Sequence, residues 1–375
     1  MLKTHAPDWQ TLAQSIADGE AVLVLGPDAI PLYLANQEAG DQHNFLETTF
    51  SELVQQRILQ TPDIGVAFHY ERDSLFLFED KNAKNLAQRV VRRCANDKSW
   101  LPDAQLLRQL VAIKFPVILS LTSDAYLPAA FSAYGLPYQF DYYTAKDKTT
   151  EVKLDPPKAE NPIIYNVCGY AQGDDYDSVI LDYHDLFELL RSILGDLNVP
   201  DILRSKLKKA NRFVLLGFQL DRWYLQLLLY YINKLDGEFD NRKHNFTIMA
   251  EVGEDTREFI IEQFQLKCIS PTRADFDNLF AACQQAGALR SLPDPLAGPA
   301  AEISLLVERN EYATALELLA KHSEGPDEAN FVTVLKSQYH AWQMAQNNQT
   351  LDSRDLQLQL NQLRYRILTF AKELP

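Results

Sequence analysis

Short apolar runs rich in branched residues recur along the first 290 residues and alternate with amphipathic stretches. The runs lie at residues 21–25, 116–121, 163–167, 213–216 and 246–249. Most of them are followed by a turn signal and then by apolar residues at helical spacing. Continuous apolar runs are typical of strands buried on both faces, and their alternation with helices indicates a parallel sheet covered on both sides. We therefore predict an α/β fold with a doubly wound, Rossmann-like parallel sheet.

The chain changes character after a stretch rich in proline and glycine at residues 291–299. Residues 300–375 carry no strand signal, and helical patterns cover residues 301–307, 313–320, 330–346 and 352–371. The pattern predicts two domains, an α/β domain at residues 1–290 and a small all-α bundle at residues 300–375, with residues 291–299 as the linker.

Composition and charge exclude several classes of function. The formal net charge is −15, and basic residues are scattered apart from a short run at residues 204–209, so direct nucleic-acid binding is disfavoured. The longest apolar run, residues 224–232, is far shorter than the roughly 20 residues that span a bilayer. The first residues lack the pattern of a secretory signal, and we expect a cytoplasmic location.

Cysteine spacing gives no metal site. The chain contains four cysteines, without a Cys-x-x-Cys pair and without a neighbouring histidine pair: Cys94, Cys168, Cys268 and Cys283. This pattern argues against zinc and against a disulfide framework. The acidic loop at residues 174–177 lacks the length and glycine placement of a calcium site.

Ligands of doubly wound sheets bind at the carboxyl ends of the strands, so the residues just after the predicted strands form the candidate site. In chain order these are Gly26 and Asp28, Thr122 and Asp124, Cys168 and Gly169, and Gly217 and Asp221.

These strand ends carry a family resemblance over roughly residues 9–290. The segments at residues 161–169, 178–186 and 211–218, the last followed by Trp223 and Tyr224, resemble in order and spacing the sirtuin-like (SIR2-like) domains of bacterial immunity proteins. Such domains cleave NAD. The resemblance therefore implies a cleft for NAD or an ADP-ribose-type nucleotide, although no cofactor follows with certainty from the residues.

Two positions that carry catalysis in that family are changed. Where the family has its catalytic histidine this chain has Cys168, and an ordinary thiol is mostly protonated at pH 7 and is a poor general base. Where the family has an asparagine this chain has Thr122, whose hydroxyl cannot replace both the carbonyl and the amide of that side chain. The neighbouring Asp124 is interpreted as a cap of the following helix.

The phosphate loop is changed as well. Of the family's Gly-Ala-Gly-x-Ser only Gly26 is kept, Pro27 removes a backbone donor, and Asp28 brings a negative charge. Two like charges 5 Å apart at an effective dielectric constant of 20 repel by about 3 kcal/mol. We interpret Asp28 as a helix N-cap beside an empty nucleotide site. With three parts of one mechanism altered, we predict a pseudoenzyme without an intact catalytic residue.

Other residues are the alternatives for the missing functions. His184, on the helix after the Cys168 turn, and His69, on a flanking helix, are the candidate substitutes for the base. In the last loop either Asp221 meets the ribose, as an acidic residue does in the family, or Arg222 takes its place.

Residues 299–375 resemble the small helical effector-associated domains found beside such modules. The residues that carry this resemblance are Ile303, Leu306, Val307, Asn310, Ala315, Leu316, Leu319, Asn330, Leu335, Gln338, Tyr339, Asn361 and Leu363. The resemblance implies a protein partner with a similar domain, bound through residues 300–375. The sirtuin-like resemblance makes a homo-oligomer a further expectation, because such defence proteins often self-assemble.

We accordingly predict an adaptor, scaffold or sensor in a bacterial anti-phage or conflict signalling system. The alternatives are an NAD glycohydrolase that depletes NAD, and a binding module that senses a nucleotide-derived signal without cleaving it.

Overall fold

The structure is a computed structural model. It describes residues 8–34, 47–144, 154–173, 178–194, 200–234, 245–249, 267–269, 273–292, 298–308, 311–323, 325–348 and 353–371. The acidic loop at residues 174–177 lies outside the described residues.

The described chain alternates strands and helices up to residue 285 and is helical after residue 298. The strands are β1 (Ala21–Leu25), β2 (Pro31–Leu34), β3 (Glu47–Thr49), β4 (Val66–Tyr70), β5 (Leu75–Phe78), β6 (Trp100–Pro102), β7 (Val117–Ser120), β8 (Gln139–Tyr142), β9 (Ile163–Asn166), β10 (Arg212–Leu216), β11 (Asn245–Met249) and β12 (Lys267–Ile269). The helices are α1 (Trp9–Ala17), α2 (Phe50–Leu59), α3 (Lys81–Ala95), α4 (Ala104–Ala112), α5 (Tyr126–Ala133), α6 (Tyr183–Leu194), α7 (Asp201–Lys209), α8 (Trp223–Lys234), α9 (Arg273–Gln285), α10 (Gly298–Glu308), α11 (Tyr312–His322), α12 (Pro326–Asn347) and α13 (Ser353–Ala371).

The main sheet has seven strands in the order β12-β11-β10-β1-β7-β9-β8, and its neighbours pair in parallel. Central β1 is buried along its whole length and separates two apolar layers. Leu23 and Leu25 pack on one face with residues of α1, α4, α5 and α9. Val22 and Val24 pack on the other face with residues of α6, α7 and α8. The prediction of an α/β fold with a parallel sheet covered on both faces is confirmed.

A smaller layer lies beside the carboxyl edge of the main sheet. It contains the antiparallel sheet β3-β2-β6, the β4–β5 hairpin and helices α2 and α3, which share a third apolar cluster. His69 lies on β4, so the prediction that it sits on a helix is wrong. The reason is cross-strand pairing, because His69 stands opposite Phe76 in the hairpin and the two rings stack at 4.7 Å.

The C-terminal helices α10 to α13 form a bundle around their own apolar cluster, as the helical pattern predicts. Its centre includes Ile303, Tyr312 and Leu335. Helix α10 contacts α5, and the Asn361 amide on α13 donates to the carbonyl of Phe140 at 2.9 Å. Phe140 belongs to β8, the last strand of the sheet, so the bundle covers a sheet edge that would otherwise be open to pairing.

Candidate functional site

The carboxyl ends of the central strands open into one cleft. Parallel pairing sets Leu25 beside Ser120 and Ser120 beside Asn166, so the loops after β1, β7 and β9 start at the same level. The opposite wall is largely apolar and includes Leu75 of β5 and Leu189 of α6. The cleft has a volume of about 120 Å³. Since an apolar cavity of about 150 Å³ holds one benzene molecule, the enclosed part of this cleft has about the size of one ring.

The backbone N–H groups of the loop after β1 are already hydrogen-bonded within the protein. The N–H groups of Gly26, Asp28 and Ala29 all donate to backbone carbonyls, at 2.7 to 3.1 Å. Two of these carbonyls belong to residues 216–217 at the end of β10, and Pro27 has no N–H to give. Phosphate-binding loops work by pointing free N–H groups at the ligand, so residues 26–29 lack the donors for that task.

Asp28 does not begin a helix, and its interpretation as an N-cap is wrong. The chain turns at residues 27–28 and continues into β2, because Pro31 starts an antiparallel strand held by β3 and β6. Burial raises the pKa of the Asp28 carboxyl, opposed by a hydrogen bond from Gln219 and by the charge of Arg222. Its Oδ1 atom is buried without a hydrogen-bond partner. Asp28 therefore adds a partly desolvated acid where a phosphate would need donors.

The polar groups after β7 satisfy one another. The hydroxyls of Ser120 and Thr122 lie 2.8 Å apart, and the Thr122 hydroxyl bonds the carboxylate of Asp124, whose pKa burial raises. The same carboxylate accepts the N–H of Tyr126, the first residue of α5, at 2.9 Å. The Asn166 amide donates to the Asp124 carbonyl at 2.8 Å. Asp124 therefore stabilises the start of α5, and its bonds tie the ends of β7 and β9 together.

Cys168 follows β9 and is partly exposed in the cleft, where it packs against an apolar cluster. Burial raises the pKa of its thiol to about 12. At neutral pH the thiol keeps its proton, so it cannot accept one from a substrate. The next residue, Gly169, has φ +85°, and a Cβ there would lie under 3.0 Å from the backbone of Ser178. The turn therefore requires glycine.

The buried thiols predict a loss of stability at alkaline pH. Burial raises the pKa of Cys94 to about 11 and of Cys283 to about 12. In the unfolded chain thiols ionise near pH 8.5, so above that pH the unfolded state binds fewer protons and stability falls as pH rises. From pH 8 to pH 9.5 we expect these two thiols to lower the free energy of unfolding by about 2.5 kcal/mol, measured by urea denaturation.

The control is the double variant Cys94→Ala, Cys283→Ala. Its free energy of unfolding is expected to change less over the same pH interval, whatever its value at pH 8. An identical pH dependence in the variant would mean that other groups cause the loss.

The structure brings only some of the predicted residues to the cleft. Thr122 and Cys168 line it, whereas Gly26, Asp28, Asp124, Gly169 and Gly217 build the turns behind it. His184 is exposed on the first turn of α6, and the same helix directs Leu186 and Leu189 to the cleft. Asp221 is exposed, and its carbonyl accepts hydrogen bonds from Arg72.

Among the further polar residues that line the cleft, Arg222, Tyr224 and Asp73 form one connected network. Of these three, the sequence suggested only Arg222, as an alternative to Asp221. The Arg222 guanidinium donates through Nη1 to the Tyr224 hydroxyl at 3.2 Å, and that hydroxyl donates to the carbonyl of Asp73 at 3.3 Å. The Asp73 carboxylate accepts from the Tyr183 hydroxyl, and its Oδ1 atom is buried without a partner. The signal for Asp73 was the polar turn at residues 71–74 between two aromatic-rich strands.

The described residues form no cluster of histidine, cysteine and acidic side chains that could hold a metal ion. None of the helices in the described part of the chain combines the length and the apolar character needed to cross a membrane.

Comparison with known proteins identifies the C-terminal bundle. Residues 299–375 match the family model of effector-associated domain 11. This match spans α10 to α13 and agrees with the predicted character of that part of the chain. A search of curated proteins gives no match.

Proposed function

We propose that this chain is a non-catalytic, sirtuin-like protein that serves as an adaptor, scaffold or sensor in a bacterial conflict signalling system. In this proposal the α/β domain keeps the architecture of an NAD-cleaving domain without its chemistry. The C-terminal bundle recruits another protein that carries an effector-associated domain. The cell compartment in which this takes place is the cytoplasm.

The observation that carries the proposal is the state of the cleft at the strand ends. The donors of residues 26–29 are used within the protein, Thr122 is bonded to Asp124, and the raised pKa of Cys168 keeps its thiol protonated. NAD cleavage would need the backbone donors to bind the pyrophosphate, the residue at position 122 to hold the ribose, and the residue at position 168 to remove a proton. The match to an effector-associated domain supports the recruiting role.

The bundle offers a surface for recruitment. Helix α12 leaves Val334 and Met344 about half exposed, at 46% and 49%, and α13 does the same with Tyr365 at 52%. Tyrosine and methionine are enriched in protein–protein interfaces, so Met344 and Tyr365 are candidate contacts for a partner helix.

One observation favours a second candidate function, an NAD glycohydrolase. Asp73 places a carboxylate in the cleft, and a carboxylate can serve as a general base. In this alternative Asp73 would replace the histidine of the sirtuin-like family, and a partner would be required to expose its buried Oδ1 atom.

The proposal is tested by incubating the purified full chain with NAD, alone and with a protein that carries an effector-associated domain. We expect nicotinamide release no faster than in a sample without the chain, because the Cys168 thiol is protonated and the backbone donors of residues 26–29 are used within the protein. Rapid release that persists in Cys168→Ala and Thr122→Ala would contradict the proposal.

Two further variants separate the candidates. If release is seen and is lost in Asp73→Asn but kept in Asp63→Asn, an exposed acid outside the cleft, the hydrolase is the correct function. Release that all these variants share would place an active site elsewhere in the chain.

A further inference from the structure

Arg222 is a buried cation that forms no ion pair within 4.0 Å among the described residues. The residue is only 5% exposed, and its Nε atom has no hydrogen-bond partner. The hydrogen bond from its guanidinium goes to a neutral group, the Tyr224 hydroxyl. Among the described residues no carboxylate oxygen lies within 4.0 Å of it. A buried charge in this state is strongly destabilising unless something compensates it.

The surroundings of Arg222 include two acids that lie farther off. Asp28 interacts with it electrostatically, and Asp73 lies across the Tyr224 hydroxyl. Asp28 is already bonded to Gln219, and Asp73 is already bonded to Tyr183. Neither acid provides the direct contact that a guanidinium usually makes with a carboxylate.

The position of Arg222 in the fold also favours an anion. It directly precedes α8, a helix of 12 residues, and the positive end of the helix dipole lies at this terminus. Arg222 and Tyr224 both line the cleft. A guanidinium, a phenol and a helix N-terminus thus meet at one side of a mainly apolar cavity.

We propose that the cleft binds a small anionic ligand whose carboxylate or phosphate group pairs with Arg222 while its apolar body fills the remaining space. The volume of about 120 Å³ limits that body to about one ring or a short chain. The ligand provides the ion pair that no described side chain makes with Arg222. It would act as the signal that this chain senses, so the assignment rests on the sensor role proposed above.

Thermal unfolding of the full chain tests this site with matched probes. Benzoate and benzamide have the same shape and differ in charge. Inorganic phosphate is an anion that lacks an apolar group. At 10 mM and constant ionic strength, we expect benzoate or phosphate to raise the Tm by about 3 °C and benzamide by less than about 1 °C. Whichever anion acts identifies carboxylate or phosphate as the recognised group.

Variants then assign the effect to Arg222. Arg222→Met is expected to abolish the anion-dependent shift, and Arg222→Lys to weaken it, because a lysine keeps the charge and loses the planar fork. Arg72→Met, a change at an exposed arginine near the same loop, is expected to keep the full shift. The ligand-free Tm of Arg222→Met should equal or exceed that of the wild type, since the variant removes an uncompensated buried charge.

Several results would overturn the assignment. These are equal shifts with benzoate and benzamide, no shift with either anion, or an anion shift that survives Arg222→Met. A large fall in the ligand-free Tm of Arg222→Met would show that the guanidinium is structural. Failure of this site is distinguishable from failure of the proposed function, because nicotinamide release is measured separately and does not depend on the shift.

Discussion

Gly217→Ala is expected to unfold the α/β domain, or at the least to lower its free energy of unfolding by about 4 kcal/mol. Gly217 ends β10 with φ +69°, and a Cβ there would lie under 3.0 Å from the backbone of Asp28 and Ala29. Backbone atoms cannot rotate aside as a flexible side chain can. The strain of the left-handed conformation, about 1 to 2 kcal/mol, adds to the clash.

The matched control is Gly19→Ala. Gly19 has nearly the same φ, +70°, but a Cβ built there meets nothing within 4 Å. It should therefore show the conformational strain alone, about 1 kcal/mol. Urea denaturation of both variants isolates the effect of close packing. Equal losses would mean that the β1 loop moves away from β10 without penalty.

This prediction concerns function as well as stability. The carbonyl of Gly217 accepts the Asp28 N–H, so the close approach of the two loops is what removes backbone donors from the cleft. The absence of a side chain at Gly217 thus lets the two loops approach closely, in the form that leaves no free donors for a phosphate. At the ends of β1 and β10, Gly26 and Gly217 allow the two loops to pack against each other. In a phosphate-binding loop, glycine instead allows the backbone to approach a ligand.

The central strands could be predicted from the sequence because burial on both faces leaves a continuous apolar run. Residues 21–25 and 163–167 are of this kind, and both form strands of the main sheet. The edge strand β8 was missed because its sequence, Gln-Phe-Asp-Tyr, alternates polar and apolar residues. The strand forms because it pairs with β9 and is covered by α13. Both contacts are made by residues distant in sequence, so a local pattern does not predict them.

The site was predictable in part. The rule that ligands meet the carboxyl ends of parallel strands located Thr122 and Cys168 beside a real cleft. It could not show that Arg222 is buried, since burial of that side chain depends on the hairpin and on α6, whose positions no local pattern encodes. Asp28 was misjudged because an acid after a glycine turn is typical of an N-cap, and only the pairing of β2 decides otherwise.

Arg290→Met is the second change with a large expected effect, a loss of about 3 to 5 kcal/mol in the free energy of unfolding. The guanidinium donates to four backbone carbonyls, those of Val111, Ile113, Phe115 and Ala159. It also lies over the ring of Phe131 at 5.2 Å. Burial lowers its pKa to about 10, so it stays charged at neutral pH.

The structural reason for the large effect is the number of acceptors served by one side chain. Arg290 follows α9 and ties the end of the α/β domain to the connection between α4 and β7, beside the central strands. Methionine keeps much of the apolar stem and removes the guanidinium from all four carbonyls, of which that of Ile113 keeps the N–H of Phe115 at 2.9 Å. Hydrogen bonds to charged groups contribute about 1.5 to 3 kcal/mol each, and the sum is reduced because the acceptors share one donor group.

Two variants make the prediction specific. Arg290→Lys keeps the charge without the planar fork and should lose an intermediate amount. Lys114→Met removes a cation from the same connection that donates only to the carbonyl of Gly287, and it should lose less than about 1 kcal/mol. Equal losses of free energy of unfolding in Arg290→Met and Lys114→Met, measured by urea denaturation, would contradict the prediction. They would mean that a positive charge near this connection stabilises the domain and that the four hydrogen bonds of Arg290 add nothing to it. If the free energy of unfolding instead rises from Arg290→Met to Arg290→Lys to the wild type, the geometry of the guanidinium stabilises this end of the domain.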